Sequence, residues 1–517
     1  MLCRVLARPS SSHVACNVAK NAEVTKITAV DAITQKRMTI DVEERIMETK
    51  RRFRKEYNLP PKALDGLRNA IVTCSRSAKQ LQNEADQLVE QLEQRKFPQS
   101  PLALKKVRDE IKQKIKLSKK AGDEEILDDD SSMAQAQRHS MRNEVDKVLK
   151  KFSFNWKPLD IQSKEAAAAY WLARLAPNYA EISRCLEELN RDSDFMPSSV
   201  LDFGCGSGAA FWAVTSKWPK AQINDFTMVD TSDSMTRFAI DTIMNYSPES
   251  TEPVPFVQKN ILFRRSLPSS KTTNYDLVIA HRVLCEIGSS ESRLELIEQL
   301  WKKTNKYLIL ADSSQSGAFA AILEAREFLL KAGNCVDYKK LLEELQEKKE
   351  LSQEVIDIVQ DSSMSDYEKY ELLKEKLCPR IVEDIPTLLP KATVFAPCPH
   401  DLRCPLMITT PCTFNTRFQT IRADGRRSEK EKDGTEQSKF TFIIFEKGSR
   451  RIDQSSPERI LKNRKLGGHS TCDVCTKFNG IQRITLSKKH GKLYTAMKSM
   501  RDGDILPLNT RKSEDSL

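Results

Sequence analysis

The stretch "SVLDFGCGSGAAFWA", residues 199–213, decides the fold class of this chain. A short apolar run is followed at once by three glycines, Gly204, Gly206 and Gly208, and then by residues that can continue as a helix. Glycines at a strand-to-helix turn let the backbone approach a ligand closely, because no side chain stands in the way. We therefore predict a buried strand, a ligand-binding loop and a helix. A tight connection without a ligand is the simpler alternative.

The acid inside this stretch indicates which ligand the loop binds. The spacing G-x-G-x-x-A also fits the fingerprint of dinucleotide-binding proteins. However, Asp202 precedes the first glycine by two residues, where a carboxylate would repel a pyrophosphate but suits the ammonium and sulfonium charges of S-adenosylmethionine. Asp230 ends the next apolar run, where an acid can accept hydrogen bonds from ribose hydroxyls. The predicted cofactor-binding residues are Asp202, Gly204, Gly206, Gly208, Asp230 and, for the adenine edge, Asn260.

Short apolar runs alternate with amphipathic segments on both sides of this loop. Alternation of strand and helix predicts an α/β fold with a doubly wound sheet and ligands above the carboxyl ends of its strands. Two later runs can serve as the last two strands, and a charged connection before the second of them is predicted to be flexible. The predicted strands lie at 199–205, 226–230, 275–281, 307–312, 393–397 and 440–445.

The sequence offers no complete catalytic set after the fourth strand. S-adenosylmethionine usually serves as a methyl donor, and enzymes that methylate amino groups usually carry an Asn-Pro-Pro-Tyr type of clamp after the fourth strand. In this chain the sequence at that position is "AHRVLCEI". His281 could act as a base, but a single histidine at a strand end is more often a structural hydrogen bonder. Cys285 lacks the Pro-Cys setting of the nucleophile that methylates base carbons. Catalytic residues therefore stay unassigned.

Length and composition suit several domains. The 517 residues carry a formal charge of +11, so a polyanionic partner and an ordinary basic surface are both compatible with the charge. We find no apolar run long enough to span a membrane and expect a soluble protein. The first 22 residues are basic, rich in serine and free of acids, which favours a mitochondrial transit peptide over a poorly ordered cytosolic start. The predicted regions are a transit peptide (1–22), a helical region with linker (23–165), a methyltransferase-like domain (166–446) with a helical insertion (336–391) and a Cys-rich loop (398–412), and a C-terminal extension (447–517).

The cysteines are concentrated near the carboxyl end. "CPHDLRCPLMITTPC" spans 398–412 and "CDVC" spans 472–475, so five of the 13 cysteines lie in these two stretches. In a chain without signs of secretion this pattern favours a metal ion or cluster over disulfides. A cysteine-rich site suits zinc and iron–sulfur clusters equally on chemistry alone.

Several motifs together resemble one family, the methyltransferase-like assembly proteins of the mitochondrial small ribosomal subunit and their bacterial relatives. The resemblance runs from about 166 to 507 and includes "VLDFGCGSG", "LEAREFLLKAG", "APCPHDLRCPL" and "GGHSTCDVC" followed by "GDILP". It implies a class I methyltransferase-like (Rossmann-like) fold and a four-iron four-sulfur cluster, with zinc as the alternative. The implied cluster ligands are Cys398, Cys404, Cys412 and Cys475, with Cys472 as the alternative to Cys475, while His400 and His469 would support the loop.

The resemblance also implies a function. We expect an assembly factor of the mitochondrial matrix that binds small-subunit ribosomal RNA and ribosomal proteins, with no membrane span and no oligomer. An active RNA methyltransferase is the alternative, and a radical protein is disfavoured because four cysteine ligands leave no open iron. The chain departs from the family where "ADSSQSG" follows the fifth strand and in the insertion at 336–391. Basic candidates for phosphate contacts are Lys105, Lys106, Lys112, Lys488, Lys489 and Arg501.

Overall fold

A computed structural model gives the architecture. It describes residues 53–95, 109, 111–113, 115, 140–145, 158–219, 223–244, 261–270, 272–364, 366–377, 385–406, 411–424, 434–448, 457–477 and 480–506. The predicted transit peptide (1–22) and the phosphate-contact candidates Lys105 and Lys106 lie outside these residues, whereas Lys112 is described.

Helices and strands alternate through the middle of the chain, as the sequence predicts. The helices are α1 (Pro61–Val72), α2 (Ala78–Gln94), α3 (Lys164–Glu188), α4 (Ala209–Lys217), α5 (Asp233–Ile243), α6 (Ser290–Lys303), α7 (Ser316–Ala332), α8 (Tyr338–Glu347), α9 (Gln353–Gln360), α10 (Asp366–Lys376) and α11 (Gly491–Ser499). The strands are β1 (Ser199–Phe203), β2 (Asp225–Val229), β3 (Ile261–Arg264), β4 (Tyr275–His281), β5 (Thr304–Ser313), β6 (Ala392–Ala396), β7 (Phe414–Gln419), β8 (Thr435–Lys447), β9 (Arg459–Lys465), β10 (His469–Cys475) and β11 (Ile481–Ser487).

Eight strands form one mixed sheet in the order β3-β2-β1-β4-β5-β8-β6, with β7 paired to β8. The strands β1 to β5 are parallel, whereas β8 runs antiparallel to β5, β6 and β7. The predicted α/β class is thus confirmed, as a mixed sheet. The first five strands follow the order 3-2-1-4-5 of doubly wound nucleotide-binding sheets, which places ligands at the carboxyl end of β1.

Both faces of the sheet are covered by helices, because alternate strand residues point to opposite sides. One core cluster joins Met228 and Ile279 to α3, α4 and α5. The other joins Val278 and Leu310 to α6 and α7. Burial on both faces explains why these strands read as nearly continuous apolar runs rather than as alternating patterns.

Three features of the sheet differ from the prediction. The strands β3 and β7 were not predicted, although β7 carries a clear period of two in which Phe414, Thr416 and Phe418 are buried. The strand β8 begins at Thr435, inside the connection that the sequence predicts to be flexible. Pairing with β7 explains this, because it gives the polar start of β8 a partner strand for its backbone hydrogen bonds.

Two smaller units flank the sheet. The stretch at 336–391 holds α8, α9 and α10, which share a small apolar cluster that includes Leu341 and Leu373. After β8 the chain forms an antiparallel sheet, β11-β10-β9, with α11 packed on one face. No helix within the described part of the chain has the length and hydropathy of a membrane span.

Candidate cofactor site and cysteine cavity

The glycine loop joins β1 to α4 and requires glycine at more than one position. Gly204, Gly206 and Gly208 have φ values of +69°, +44° and +61°, a left-handed region that other residues rarely adopt. A Cβ atom on Gly204 would lie 2.4 Å from a methyl carbon of Val283. The amide nitrogen of Gly204 also donates to the carbonyl of Val229, 2.8 Å away. The neighbouring strand β2 therefore fixes the loop.

Asp230 lies directly after β2 and braces the same loop. One of its carboxylate oxygens accepts from the amide of Gly206 and the other from the amide of Ser232, each at 2.9 Å. Burial raises the pKa of Asp230, and these two hydrogen bonds oppose that rise. Because a carboxylate offers about four lone-pair sites, each oxygen can still accept from a ligand hydroxyl.

Asp202 is the most unusual group at this end of the sheet. Its side chain is buried, and its Oδ2 atom has no hydrogen-bond partner among the described residues. Burial, followed by the charge of Asp230, raises the pKa of Asp202 to about 8. An unsatisfied buried carboxyl group is costly in free energy unless a partner reaches it. A cationic ligand group would be such a partner.

The residues after β4 are engaged in a buried ion network rather than directed at a reacting group. Glu181 of α3 accepts from Nε2 of His281 at 2.7 Å and from the guanidinium of Arg282 at 2.6 and 3.2 Å. Burial would raise the pKa of Glu181, but the charge of Arg282 and the hydrogen bond from His281 lower it to about 2. His281 therefore holds α3 against the sheet.

Cys285 is a poor nucleophile in this setting. Burial, and then the charges of Asp312 and Glu286, raise the pKa of its thiol well above the ordinary value. Glu286 also forms a bidentate ion pair with Arg95 at the end of α2, at 2.7 and 2.9 Å. The N-terminal helices are thus anchored beside the mouth of the glycine-loop site.

Asn260, the candidate for the adenine edge, lies outside the described residues, and its placement stays a prediction. Tyr170 of α3 lies beside the glycine loop. A Cβ atom on Gly206 would be 3.4 Å from its ring. Nothing in the motif spacing indicated this aromatic neighbour.

The four cysteines of the resemblance line one narrow cavity. Cys398, Cys404 and Cys412 come from the connection between β6 and β7, and Cys475 comes from the end of β10 in the smaller sheet. Apolar side chains of α7, among them Phe319, form another wall. Residues distant in sequence are therefore brought to a single place, and none of the described cysteines forms a disulfide.

The two cysteines of "CDVC" are separated by their strand geometry. Both lie on β10, and an odd spacing on a strand points side chains to opposite faces. Cys475 lines the cavity with its Sγ atom 3.4 Å from Nε2 of His400. Cys472 instead packs in the apolar cluster of the smaller sheet with Ile460 and Met497. The alternative ligand Cys472 therefore lies on the face of β10 away from the cavity.

Two buried arginines also line the cavity, and the sequence prediction missed both. The guanidinium of Arg326 donates to the carbonyls of His400 and Leu402, at 3.0 and 2.6 Å. Arg459 donates to the carbonyl of Pro397 at 3.3 Å. Arg326 could have been found in the sequence as a charged residue within the otherwise apolar face of α7. His469, by contrast, is exposed at the start of β10 and does not line the cavity.

Arg459 also connects the cavity to α3. It forms an ion pair with the buried carboxylate of Glu188 at 2.9 Å, and Arg184 binds the same carboxylate at 2.9 Å. Burial would raise the pKa of Glu188, but the charges of Arg459 and Arg184 lower it to about 2. The helix that covers the glycine-loop site is therefore tied electrostatically to the cysteine cavity.

The cysteine donor set fits a thiolate-bound centre, whereas the enclosed space is small. Burial raises the pKa of all four thiols, so a metal would have to displace their protons. The described residues contain no group of three or more ligating side chains already at metal-ion spacing. The cavity volume is about 30 Å³, roughly that of one water molecule.

A family model described as "Mitochondrial small ribosomal subunit Rsm22" matches residues 164–338 and 339–507. The human protein named ribosome assembly protein METTL17, mitochondrial, is 26% identical over 374 residues, which cover 72% of this chain and 68% of that protein. Two mitochondrial Rsm22-cox11 tandem proteins of Schizosaccharomyces pombe are each 23% identical, and the match covers 67% of this chain but 44% of their length.

Among solved structures, magnesium protoporphyrin IX methyltransferase from Synechocystis PCC 6803 with bound SAM is 16% identical, with a TM-score of 0.23 over 37% of this chain and 80% of that one. The plantazolicin methyltransferase BpumL with SAH is 14% identical, with a TM-score of 0.25 over 61% of this chain and 100% of that one. TM-scores this low support no conclusion about ligand or activity.

Proposed function

This chain belongs to the Rsm22 family of the mitochondrial small ribosomal subunit, and from that premise we propose that it is an assembly factor of that subunit. In this role it binds small-subunit ribosomal RNA and ribosomal proteins, holds S-adenosylmethionine at the glycine loop and carries a four-iron four-sulfur cluster. The observation that carries the proposal is the convergence of the four cysteines, from a loop and from a separate sheet, on one buried cavity. The printed name of the human relative supports the assembly role.

The location follows from the family. The family description and the named relatives are mitochondrial, so the predicted mitochondrial location is confirmed. Residence in the matrix is part of the proposal, because the small ribosomal subunit is assembled there.

At the glycine loop, Asp202 would pair with the cationic methionyl part of S-adenosylmethionine and Asp230 with its ribose hydroxyls. The unpartnered Oδ2 atom of Asp202 supports this assignment, since a positive ligand would satisfy it. Gly204 and Gly206 supply the left-handed backbone of the loop, and the amide of Gly206 holds Asp230 against it.

At the cysteine cavity, Cys398, Cys404, Cys412 and Cys475 would hold the cluster. When bound, the cluster supplies iron–thiolate bonds that crosslink the loop after β6 to the smaller sheet. Arg326 and Arg459 place positive charge beside the thiolates, which compensates the negative charge of such a centre. Metal analysis and visible absorbance of anaerobically purified protein separate the cluster from zinc, because a zinc protein is colourless.

Co-sedimentation with precursors of the mitochondrial small subunit tests the assembly role. We expect the purified protein to migrate with the precursors and the Cys398→Ser variant to do so weakly, while both bind S-adenosylmethionine alike. If the wild-type protein stays at the top of the gradient under low salt, the assembly proposal fails.

An active RNA methyltransferase is the second candidate. The observation in its favour is the buried carboxyl oxygen of Asp202 that has no partner in the described residues. The raised pKa of Cys285 and the engagement of His281 with Glu181 argue against it. A transfer assay with tritiated S-adenosylmethionine on isolated small subunits decides the matter. Counts in the RNA that disappear with Asp230→Ala would establish an enzyme.

A further inference from the structure

A second cleft lies at the junction of three parts of the chain. It is bounded by residues 53–55, by the edge strand β7 and by the turn at 500–504 beside β9. Its cavity volume is about 310 Å³, at the lower end of the range of about 300–1,000 Å³ that is usual for ligand sites. The cleft is separate from the cysteine cavity and from the glycine loop.

Three exposed cations line this cleft from different parts of the chain. Lys55 comes from the N-terminal segment, Lys465 from the end of β9 and Arg501 from the turn after α11. Within the described residues none of these three side chains forms an ion pair. Their charges are therefore not neutralised by an ion pair, and an anionic ligand would pair with them favourably.

The other charged groups of the cleft are already engaged. Arg54 and Arg184 pair with acids of α3, at 3.3 and 2.9 Å. Asp502 and Asp504 each accept a hydrogen bond from a backbone amide, at 2.7 and 2.8 Å, and so brace the turn. These bonds leave both carboxylates charged. The three exposed cations outnumber these two acids, and Arg417, which donates to a threonine hydroxyl at 2.6 Å, adds a further cation, so the net charge that a ligand meets is positive.

Neutral polar groups in the cleft are also ready for a ligand. Thr416 of β7 is 2% exposed, and its hydroxyl has no hydrogen-bond partner among the described residues. Asn415 and Gln437 also line the cleft, both are exposed, and no hydrogen bond of their side chains is found in the described part of the chain. A buried hydroxyl group without a hydrogen-bond partner costs free energy, so a ligand that supplies a partner for Thr416 would bind favourably.

We propose that this cleft binds the phosphodiester backbone of a single-stranded RNA segment, through Lys55, Lys465 and Arg501 on the phosphates and Thr416 on a phosphate or ribose oxygen. The inference rests on the proposed role in ribosome assembly and assigns a site to the RNA contact. Three cations on separate walls suit successive phosphates of a strand that passes through, rather than one small anion at a point.

The aromatic residues of the cleft argue for backbone recognition rather than base stacking. The guanidinium of Arg184 lies 3.4 Å from the centroid of the Phe53 ring and covers one face of it, and Phe414 is buried. Without an open ring face the cleft lacks the stacking platform of many single-strand binders. Binding here should therefore depend little on sequence and strongly on salt.

The test uses the full chain, purified anaerobically, and a short fluorescein-labelled single-stranded RNA of mixed sequence. The cleft variant combines Lys55→Gln, Lys465→Gln and Arg501→Gln. The matched control combines Lys62→Gln, Lys79→Gln and Lys331→Gln, three exposed lysines that do not line the cleft. We expect the cleft variant to bind about 10- to 100-fold more weakly near 0.1 M salt, and its slope of log K against log salt to fall by about 2. The control should change by less than about threefold.

Thr416→Val adds a readout independent of charge. Valine keeps the shape but removes the hydroxyl, so RNA affinity should fall about fivefold while the melting temperature stays equal or rises. Equal RNA binding by the cleft and control variants would overturn the cleft assignment and leave the assembly role standing. Displacement of the RNA by inorganic phosphate beyond the effect of ionic strength would also overturn it, in favour of a small-anion site. Failure of the wild-type protein to bind either this RNA or small-subunit precursors would remove both proposals.

Discussion

The glycine loop and the cysteine cavity are built in opposite ways. In the glycine loop, three alternate glycines of one strand-to-helix turn adopt left-handed conformations, and the adjacent strand fixes the loop. In the cysteine cavity, a loop, a helix and a strand of a second sheet each contribute one wall. The first geometry is local, so spacing in the sequence encodes it. The second depends on how separate units pack, so its integrity depends on long-range contacts.

The strongest test of this contrast removes the contact that joins the two regions. Arg459→Met takes away one of two cations that bind the buried carboxylate of Glu188. Arg184 still neutralises Glu188, but the buried hydrogen bonds from Arg459 to Glu188 and to the carbonyl of Pro397 are lost. Hydrogen bonds from charged groups are worth about 1.5–3 kcal/mol each, so we expect a loss of about 3 kcal/mol in urea unfolding.

Arg464→Met is the matched control for that measurement. Arg464 pairs with Asp473 at 2.7 Å on the partly exposed face of the same small sheet, and Arg483 still binds Asp473 when it is removed. A surface pair of this kind is worth less than about 1 kcal/mol. Equal losses in the two variants would show that the buried network does not connect the regions.

The second test concerns the protonation of Asp202. Its pKa of about 8 lies far above the usual value, so the carboxyl group is mostly neutral below pH 8 in the free protein. A cationic ligand prefers the ionised form, so ligand binding releases a proton and affinity rises with pH. The affinity for S-adenosylmethionine should increase about ninefold from pH 6 to 7 and about fivefold from pH 7 to 8, and the rise should end near pH 8, where the α-amino group of the ligand also begins to lose its proton.

Calorimetric titration across this range checks the prediction. Asp202→Asn should bind weakly with a flat pH profile, because the amide does not titrate. Asp276→Asn serves as the control, since hydrogen bonds from Ser198 outweigh the effect of burial and lower the pKa of Asp276, which is therefore already ionised throughout. A flat profile in the wild-type protein would contradict the assignment of Asp202 to the cationic part of the ligand.

The third test asks whether the cysteine cavity holds the smaller sheet in place. With Cys398→Ala, the visible absorbance of an iron–sulfur centre should disappear and proteolysis of residues 457–506 should speed up about tenfold or more, because a crosslink that closes a long loop is lost. The affinity for S-adenosylmethionine should stay within about twofold, since the glycine loop is braced by β2.

Cys472→Ala is the control for Cys398→Ala. Its thiol packs in the apolar cluster of the small sheet and not in the cavity, so the chromophore should survive. Loss of iron from this variant with retention in Cys475→Ala would reverse the ligand assignment within "CDVC".

The sequence predicted the α/β class and the position of the glycine loop. Both depend on residues that are close together in the chain, so the order of apolar runs and glycines is enough to indicate them. It named the four cysteines only through the family resemblance, since thiol spacing alone left Cys472 and Cys475 open until β10 placed them on opposite faces. Arg326 and Arg459 were missed because their partners lie far away in the chain. The unpartnered oxygen of Asp202 likewise depends on how distant segments pack around it, which residue spacing does not record.

The smallest expected effect tests the local character of the glycine loop. Gly206→Ala must hold a left-handed φ of +44°, while its new methyl group meets the Tyr170 ring only at an ordinary distance of 3.4 Å. The strain alone costs about 1 kcal/mol, so the folding equilibrium constant and the ligand association constant should each fall about fivefold. Gly204→Ala should lose more, because its methyl group would lie 2.4 Å from Val283. Gly467→Ala, with open space around it, should change neither quantity measurably, and a loss as large as that of Gly206→Ala would refute the argument from backbone strain.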